Sequence, residues 1–266
     1  MAMKISIITI SFNSDKTIER TIKSVLSQNY KNFEYIIIDG GSKDKTIEII
    51  TKYEPFFKGK MHWVSESDKG LYNAMNKGID RATGDIIGLI NSDDWLEPDT
   101  FSTIAKMVDN RNNNCLYCGS IRFHYMDGTF QIFRTNKSKF FSGIKEFSFN
   151  HGAYHSAIYV SSNIYKEIGK FDENFKIAAD VDFIARCYMQ GYCFHFTEKI
   201  LTNMSDGGVS NKLSLKKIYS DRKYHCLKYG IKGLKAFRYV YMDCLVTIVK
   251  FYVPVRWIKL YRTYKS

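Results

Sequence analysis

The chain has 266 residues, and a domain of that size removes roughly 70 to 75% of its unfolded surface from water, so a sizeable core is expected. An apolar share of 45%, aromatics at 15% and only 3 prolines exclude a disordered or fibrous chain and indicate one large domain, or one domain with an appendage. The formal charge of +12 is unevenly held: residues 1–211 carry 25 basic and 25 acidic side chains, and residues 212–266 carry 14 and 2. A basic tail suits nucleic acid, an anionic membrane, or no specific partner.

The opening MAMKISIITISF has no small-residue cleavage site, and Lys4 to Ile10 reads as a buried strand rather than a signal peptide. Ser14 is a candidate N-cap for a helix through Ile18, Ile22, Val25 and Leu26, and Glu34 to Ile38 repeats the strand pattern. Asp44 or Thr46 then opens a helix through Ile47, Ile50 and Tyr53, followed by an extended stretch from Met61, a helix from Leu71 to Arg81 and a strand from Ile86 to Ile90. Strands alternating with helices predict an α/β fold with a mainly parallel sheet covered on both faces. Residues 100–211 are less regular, with a helix from Phe101 to Val108, strand-like pieces from Leu116 to Phe123 and an acidic segment AADVDF at 178–183. Leu213 to Ser266 reads as helical, basic and aromatic. The six cysteines, Cys115, Cys118, Cys187, Cys193, Cys226 and Cys244, are irregularly spaced and read as reduced thiols of a cytoplasmic protein. The lone C-x-x-C of Cys115 and Cys118 lacks a second pair at zinc spacing.

In open α/β sheets ligands bind beyond the carboxyl ends of the strands. Four polar clusters lie there: SFN at 11–13, DGGSKD at 39–44, ESDKG at 66–70 and NSDD at 91–94. Asp93 and Asp94 are adjacent carboxylates that repel unless a cation or donors compensate, and oxygen ligation suits Mg²⁺ or Mn²⁺. An Asx-turn before Trp95 and Pro98 is the structural alternative. His151 and His155 have the spacing of a helical metal pair, but Gly152 and the following AIYV suggest loop and strand.

The series SFN, DGGSKDKT, ESDKGLYNAMNKG, ATGD and NSDDW, continuing through HGAYHSAIY, IGKFDENF, AADVDF and GGVS, resembles glycosyltransferase family 2 over about residues 4–211. The resemblance implies a GT-A fold, Rossmann-like, with a nucleotide-sugar-binding half at 1–99 and an acceptor half at 100–211. It also implies an inverting transfer from a nucleoside diphosphate sugar. Ser11, Phe12, Asn13, Asp39 and Ser42 would then line the base and ribose pocket, with Phe12 stacked on the base and Asp39 accepting from it. Phe12 as a core aromatic and Asp39 as a turn residue are the alternatives. Asp68, Gly70, Asn73 and Asn76 match the segment against nucleotide and donor sugar, where Lys69 and Lys77 either face phosphate or are solvated.

Where the family commonly has D-x-D, Asn91 replaces the first carboxylate, so the resemblance makes Asp93 the metal ligand for Mn²⁺ or Mg²⁺, with Asn91 and Ser92 beside the donor. Asp180 matches the catalytic base, with Ala179 in place of the residue that usually precedes it. Asp182 orients the acceptor or is a helix N-terminal acid. His155 and Trp95 are assigned to acceptor or diphosphate, and the SDGGVSN loop at 205–211 to closure over the donor.

Val240 to Val255 is interrupted by Asp243, Lys250 and Pro254 and falls short of the ~20 apolar residues that span a bilayer. With Arg238, Arg256, Lys259 and Arg262 beside Trp257, Tyr261 and Tyr264, residues 212–266 read as an interfacial tail on an anionic membrane. The acceptor would be a polyprenyl-diphosphate-linked saccharide, as in O-antigen or capsule synthesis. Packing of the tail on its own domain or on the partner in a homodimer is the alternative, and no nucleic-acid module is present. A metal-dependent nucleotidyltransferase lacks a basic phosphate loop in SFNSDK, and a non-catalytic nucleotide or lipid-binding protein is the remaining class.

Overall fold

The computed structural model describes residues 3–108, 114–145, 154–206 and 215–252. Strand β1 (Ile5–Ser11) is buried along its whole length and runs parallel to β2 (Phe33–Asp39) on one side and β4 (Ile86–Asn91) on the other. Beyond β2 lies β3 (Met61–Ser65), also parallel. The isoleucine runs follow from this position, because central strands covered on both faces have no polar side to present. Helices α1 (Ile18–Leu26), α2 (Thr46–Tyr53) and α3 (Leu71–Arg81) complete these crossovers. The α3 helix comes so close to β1 that a Cβ on Gly78 would lie 2.4 Å from Ile8 Cγ2.

Helix α1 starts later than the sequence suggests. Thr17 occupies the N-cap position without a side-chain cap, and Ser14 contributes its carbonyl, which accepts from Thr17 N and Ile18 N. The Ser14 hydroxyl is instead turned to Ser92 Oγ at 2.8 Å.

The sheet has the order β3-β2-β1-β4-β8-β6-β9-β5, with β7 paired to β6. Its second half comprises β5 (Trp95–Leu96), β6 (Cys115–His124), β7 (Phe130–Phe133), β8 (Ile158–Ser161) and β9 (Cys193–Ser205), with α4 (Thr100–Met107), α5 (Lys137–Lys145), α6 (Ser162–Ile168) and α7 (Ala179–Met189) between strands. The parallel expectation holds for β1 to β4 and for β6 with β9, whereas β8 runs antiparallel to both β4 and β6. The short turn at Gly128 leaves β7 no choice but to return antiparallel along β6.

Cys115 and Cys193 are directly opposite in the β6–β9 register, with Cα atoms 4.7 Å apart, and form a disulfide. The expectation of six reduced thiols is therefore corrected: a contact across 78 residues leaves no trace in cysteine spacing. The bond joins residues that the strand ladder already holds together. Cys118 stays a buried free thiol, as do Cys187 and Cys226.

The chain divides into two compact units, residues 1–171 with 180–206, and residues 172–179 with 207–266. In the second, α8 (Leu215–Lys228) and α9 (Gly233–Tyr252) form a helical pair. Segment 172–179, placed by sequence with the acceptor half, belongs to this unit. The buried Asp221 carboxylate accepts from Lys176 N and Ile177 N, and Phe175 packs edge-on against Tyr224. Among the described residues no helix is long and apolar enough to cross a membrane.

Candidate active site

The strand register assembles the site. Ser11 pairs with Asp39, Asp39 with Ser65 and Ile10 with Asn91, so the polar clusters after β1, β2, β3 and β4 share one edge of the sheet. Asp39 is fully buried at the centre of this edge. Its Oδ1 accepts from Ser11 Oγ at 3.0 Å and Ser42 Oγ at 2.5 Å, and its Oδ2 from Gly41 N, Ser42 N and Ser65 Oγ at 3.0, 2.8 and 2.7 Å. Five donors converge on this carboxylate, which acts as the hub that ties three strand ends together. Asn13 N donates to Ser42 Oγ and Asn13 Oδ1 accepts from Lys43 N, with Asn13 itself in the left-handed region at φ 49°.

Phe12 is not a core aromatic: 62% of it is exposed. Its ring borders Gly40, where an added Cβ would lie 3.3 Å from Phe12 Cδ2 and 2.7 Å from Asp68 Oδ2. The bare glycine thus leaves a slot with an aromatic wall and a carboxylate edge. Asp68 Oδ1 accepts from Gly70 N, and Gly70 has φ 121°, a conformation that favours glycine at the mouth of α3. Asn73 Oδ1 accepts from Lys69 N. Asn76 is buried and clasps the backbone of Phe171 through both its amide atoms, so it braces the scaffold. Lys77 pairs with Glu66 at 2.9 Å.

The acidic loop after β4 divides its two carboxylates. Asp94 is buried, with Oδ1 accepting from Ser205 N at 3.1 Å and Oδ2 3.4 Å from Asn91 Nδ2, while its carbonyl accepts from Thr21 Oγ1. Asp93 lends its carbonyl to Arg20 Nη2 and Ser205 Oγ, at 2.7 and 2.8 Å. Burial pushes the Asp93 carboxyl up, with Arg20 and His155 partly offsetting it. Burial followed by repulsion from Asp93 pushes Asp94 well above the usual carboxylate range. Two adjacent, partly desolvated carboxylates short of positive charge are a donor set that fits a hard dication. Arg20 lies 3.7 Å from the centroid of Trp95, whose other neighbour is His124 with ring centroids 4.6 Å apart.

Asn91 links this loop to the second carboxylate of the site. Its Nδ2 donates toward Asp94 Oδ2 and stands 3.2 Å from His155 Nε2. The other ring nitrogen, Nδ1, is 3.7 Å from Asp180 Oδ2. Tyr72 Oη donates to Asp180 Oδ1 at 3.4 Å, and Val181 N donates to the same oxygen at 2.9 Å. Asp182 turns the other way: it is buried and holds Arg186 Nε at 2.9 Å, while Arg186 also donates to the carbonyls of Ile168 and Lys170. His151 and residues 207–211 of the glycine loop lie outside the described residues.

Sequence reasoning missed Arg20, Thr21, Ser65, Tyr72 and Ser205. Each is a common residue on an element whose face only the packing reveals. Two carried a signal: Tyr72 lies between Gly70 and Asn73 in the segment singled out, and Ser205 opens the SDGGVSN loop.

A sequence model described as glycosyl transferase family 2 matches residues 6–185. An uncharacterized glycosyltransferase of Mycobacterium tuberculosis strain H37Rv is 35% identical over 187 residues, which are 70% of this chain and 69% of the relative. A PGL/p-HBAD biosynthesis glycosyltransferase of Mycobacterium bovis is 25% identical over 78% of this chain and 79% of its own length. Among solved structures, S. aureus TarS 1-349 in complex with UDP-GlcNAc superposes with a TM-score of 0.66 at 19% identity, covering 89% of this chain and 69% of that one. The mannosyltransferase PcManGT from Pyrobaculum calidifontis in complex with GDP-Man and Mn²⁺ gives 0.60 at 16% identity, covering 90% and 68%. These likenesses support the GT-A fold.

Proposed function

The chain belongs to glycosyltransferase family 2, and on that footing we propose that it moves a hexose or N-acetylhexosamine from a UDP-sugar to a sugar hydroxyl with inversion. The acceptor is a polyprenyl-diphosphate-linked saccharide of an O-antigen or capsule type, met at the cytoplasmic face of a bacterial membrane. The observation that supports the reading is the series of contacts from Asp94 through Asn91 and His155 to Asp180, at 3.4, 3.2 and 3.7 Å.

Asp180 is the base. Its side chain is 24% exposed, and Tyr72 and Val181 hold one oxygen while the other faces His155 Nδ1 at 3.7 Å. It takes the proton from the acceptor hydroxyl as that oxygen bonds to the anomeric carbon, and the bond to the diphosphate oxygen breaks. One displacement inverts the centre. Asp93 and Asp94 would hold Mn²⁺ or Mg²⁺, which when bound neutralises charge on the diphosphate. Phe12 stacks on the base, with Asp68 at its edge, and TarS bound to UDP-GlcNAc supports uridine.

The test is calorimetric titration of uridine, guanosine and thymidine diphosphates, with and without Mn²⁺, into wild type and Asp93→Ala. Mn²⁺-dependent binding of the uridine nucleotide, lost in the variant, is expected. Absence of binding by all three would overturn the donor site, and preference for another base would replace uridine.

A further inference from the structure

The helical pair α8–α9 leaves apolar side chains in water in one continuous arrangement. On α9, Leu234, Phe237, Tyr241 and Leu245 follow one another at intervals of three and four, which places them on one face, and all are exposed, Leu234 to 83%. The stripe continues onto α8, where exposed Tyr219 meets Tyr241 with ring centroids 6.2 Å apart, and Phe237 packs on Tyr241 at 4.5 Å. Buried positions of the pair lie elsewhere, at Ile218, Arg222, His225, Cys226 and Val240.

The charge around the stripe is predominantly positive. Between Leu215 and Leu245 the acids are Asp221, which is buried against the 176–177 backbone, and Asp243, against eight lysines and arginines. Lys235 and Arg238 flank the stripe on α9, and Lys216 and Lys223 stand exposed on α8.

We propose that this face, with Leu234, Phe237, Tyr241 and Leu245 inserted among acyl chains and Lys235 and Arg238 at the phosphates, docks the protein on an anionic lipid bilayer. This deepens the membrane-surface part of the proposed function by naming the residues that enter the membrane. Leucines and aromatics edged by cations suit the boundary between hydrocarbon and anionic headgroups. A nucleic acid would use the aromatic rings but gives the leucines nothing to bury against. A second copy of the same face would bring like charges together.

The experiment is sedimentation of the full-length protein with vesicles of phosphatidylcholine and phosphatidylglycerol at about two to one. Wild type is expected to pellet with these vesicles and to be released by salt. The double variant Leu234→Ser/Phe237→Ser should partition at least about tenfold more weakly. Lys235→Gln/Arg238→Gln should lose the preference for phosphatidylglycerol. All four residues are exposed, and unchanged thermal unfolding verifies each variant. Equal partitioning of wild type and the serine variant overturns the proposal, as does failure of wild type to pellet. Self-association in the ultracentrifuge that the serine variant abolishes would also overturn it, in favour of a second copy. Nucleotide binding measured on the same samples separates this outcome from the donor site: vesicle binding without nucleotide binding removes the donor site and leaves the docking face standing.

Discussion

His155 Nδ1 stands 3.7 Å from Asp180 Oδ2, and the opposite ring nitrogen of His155 is 3.2 Å from Asn91 Nδ2. The amide that replaces the family's first acid therefore contacts a histidine that faces Asp180, the proposed base. Asn91 keeps a role in the site without adding a charge. Asp180→Asn should lower kcat by roughly 10² to 10⁴-fold while donor affinity stays within about twofold. His155→Ala should cost about tenfold in kcat. Single-turnover transfer assays beside calorimetry separate the two effects, and an Asp180→Asn enzyme that still turns over would move the base elsewhere.

Phe12 offers an exposed ring beside Gly40 and Asp68. Loss of a stacking face costs about 1 to 3 kcal/mol per base, so Phe12→Ala should weaken uridine diphosphate binding by about tenfold. Because the ring is in solvent, the unfolding temperature should not move. A fall in that temperature without loss of affinity would return Phe12 to a structural role.

Buried Asp182 pairs with partly exposed Arg186 across one helical turn. Removing Asp182 leaves Arg186 partly solvated and still held by the carbonyls of Ile168 and Lys170, so Asp182→Ala should destabilise by about 2 kcal/mol. Denaturant unfolding measures this. The folded fraction should keep its acceptor KM, and a specific rise in KM would instead make Asp182 an acceptor contact.

Burial alone would raise the Glu34 carboxyl, but hydrogen bonds from Lys4, Ser6 and Thr83 outweigh it and hold the group at about 2. The folded value lies below the ordinary one near 4.5, so the stabilisation is fully present above that pH and fades as pH falls toward 2. With Lys4 partly solvated, the contribution at neutral pH is roughly 2 kcal/mol. Glu34→Gln should show this deficit at pH 7 and approach wild type near pH 2 to 3 in urea titrations.

Much of the first half was legible because its signals are local. Isoleucine runs of β1, β2 and β4 mark strands with both faces covered, and a strand that ends in polar residues marks the ligand edge of such a sheet. The antiparallel insertion of β8 was not legible, since strand direction depends on which neighbour a short segment meets. Nor was the Cys115–Cys193 pair, which the β6–β9 register creates.

The chemistry-bearing residue types, their order and the basic tail were written in the sequence by itself. Tertiary structure decided which of them face the site. Asp180 and Asp182 are two apart at the start of α7, about 200° around the helix, so only one can face the cleft, and packing of Asp182 on Arg186 turns Asp180 outward. Asp39 gathers five internal donors because three strand ends converge on it, and Phe12 keeps an exposed ring beside Gly40, which has no side chain to crowd it. Both outcomes depend on contacts between residues distant in the chain, and periodicity and composition carry no record of those.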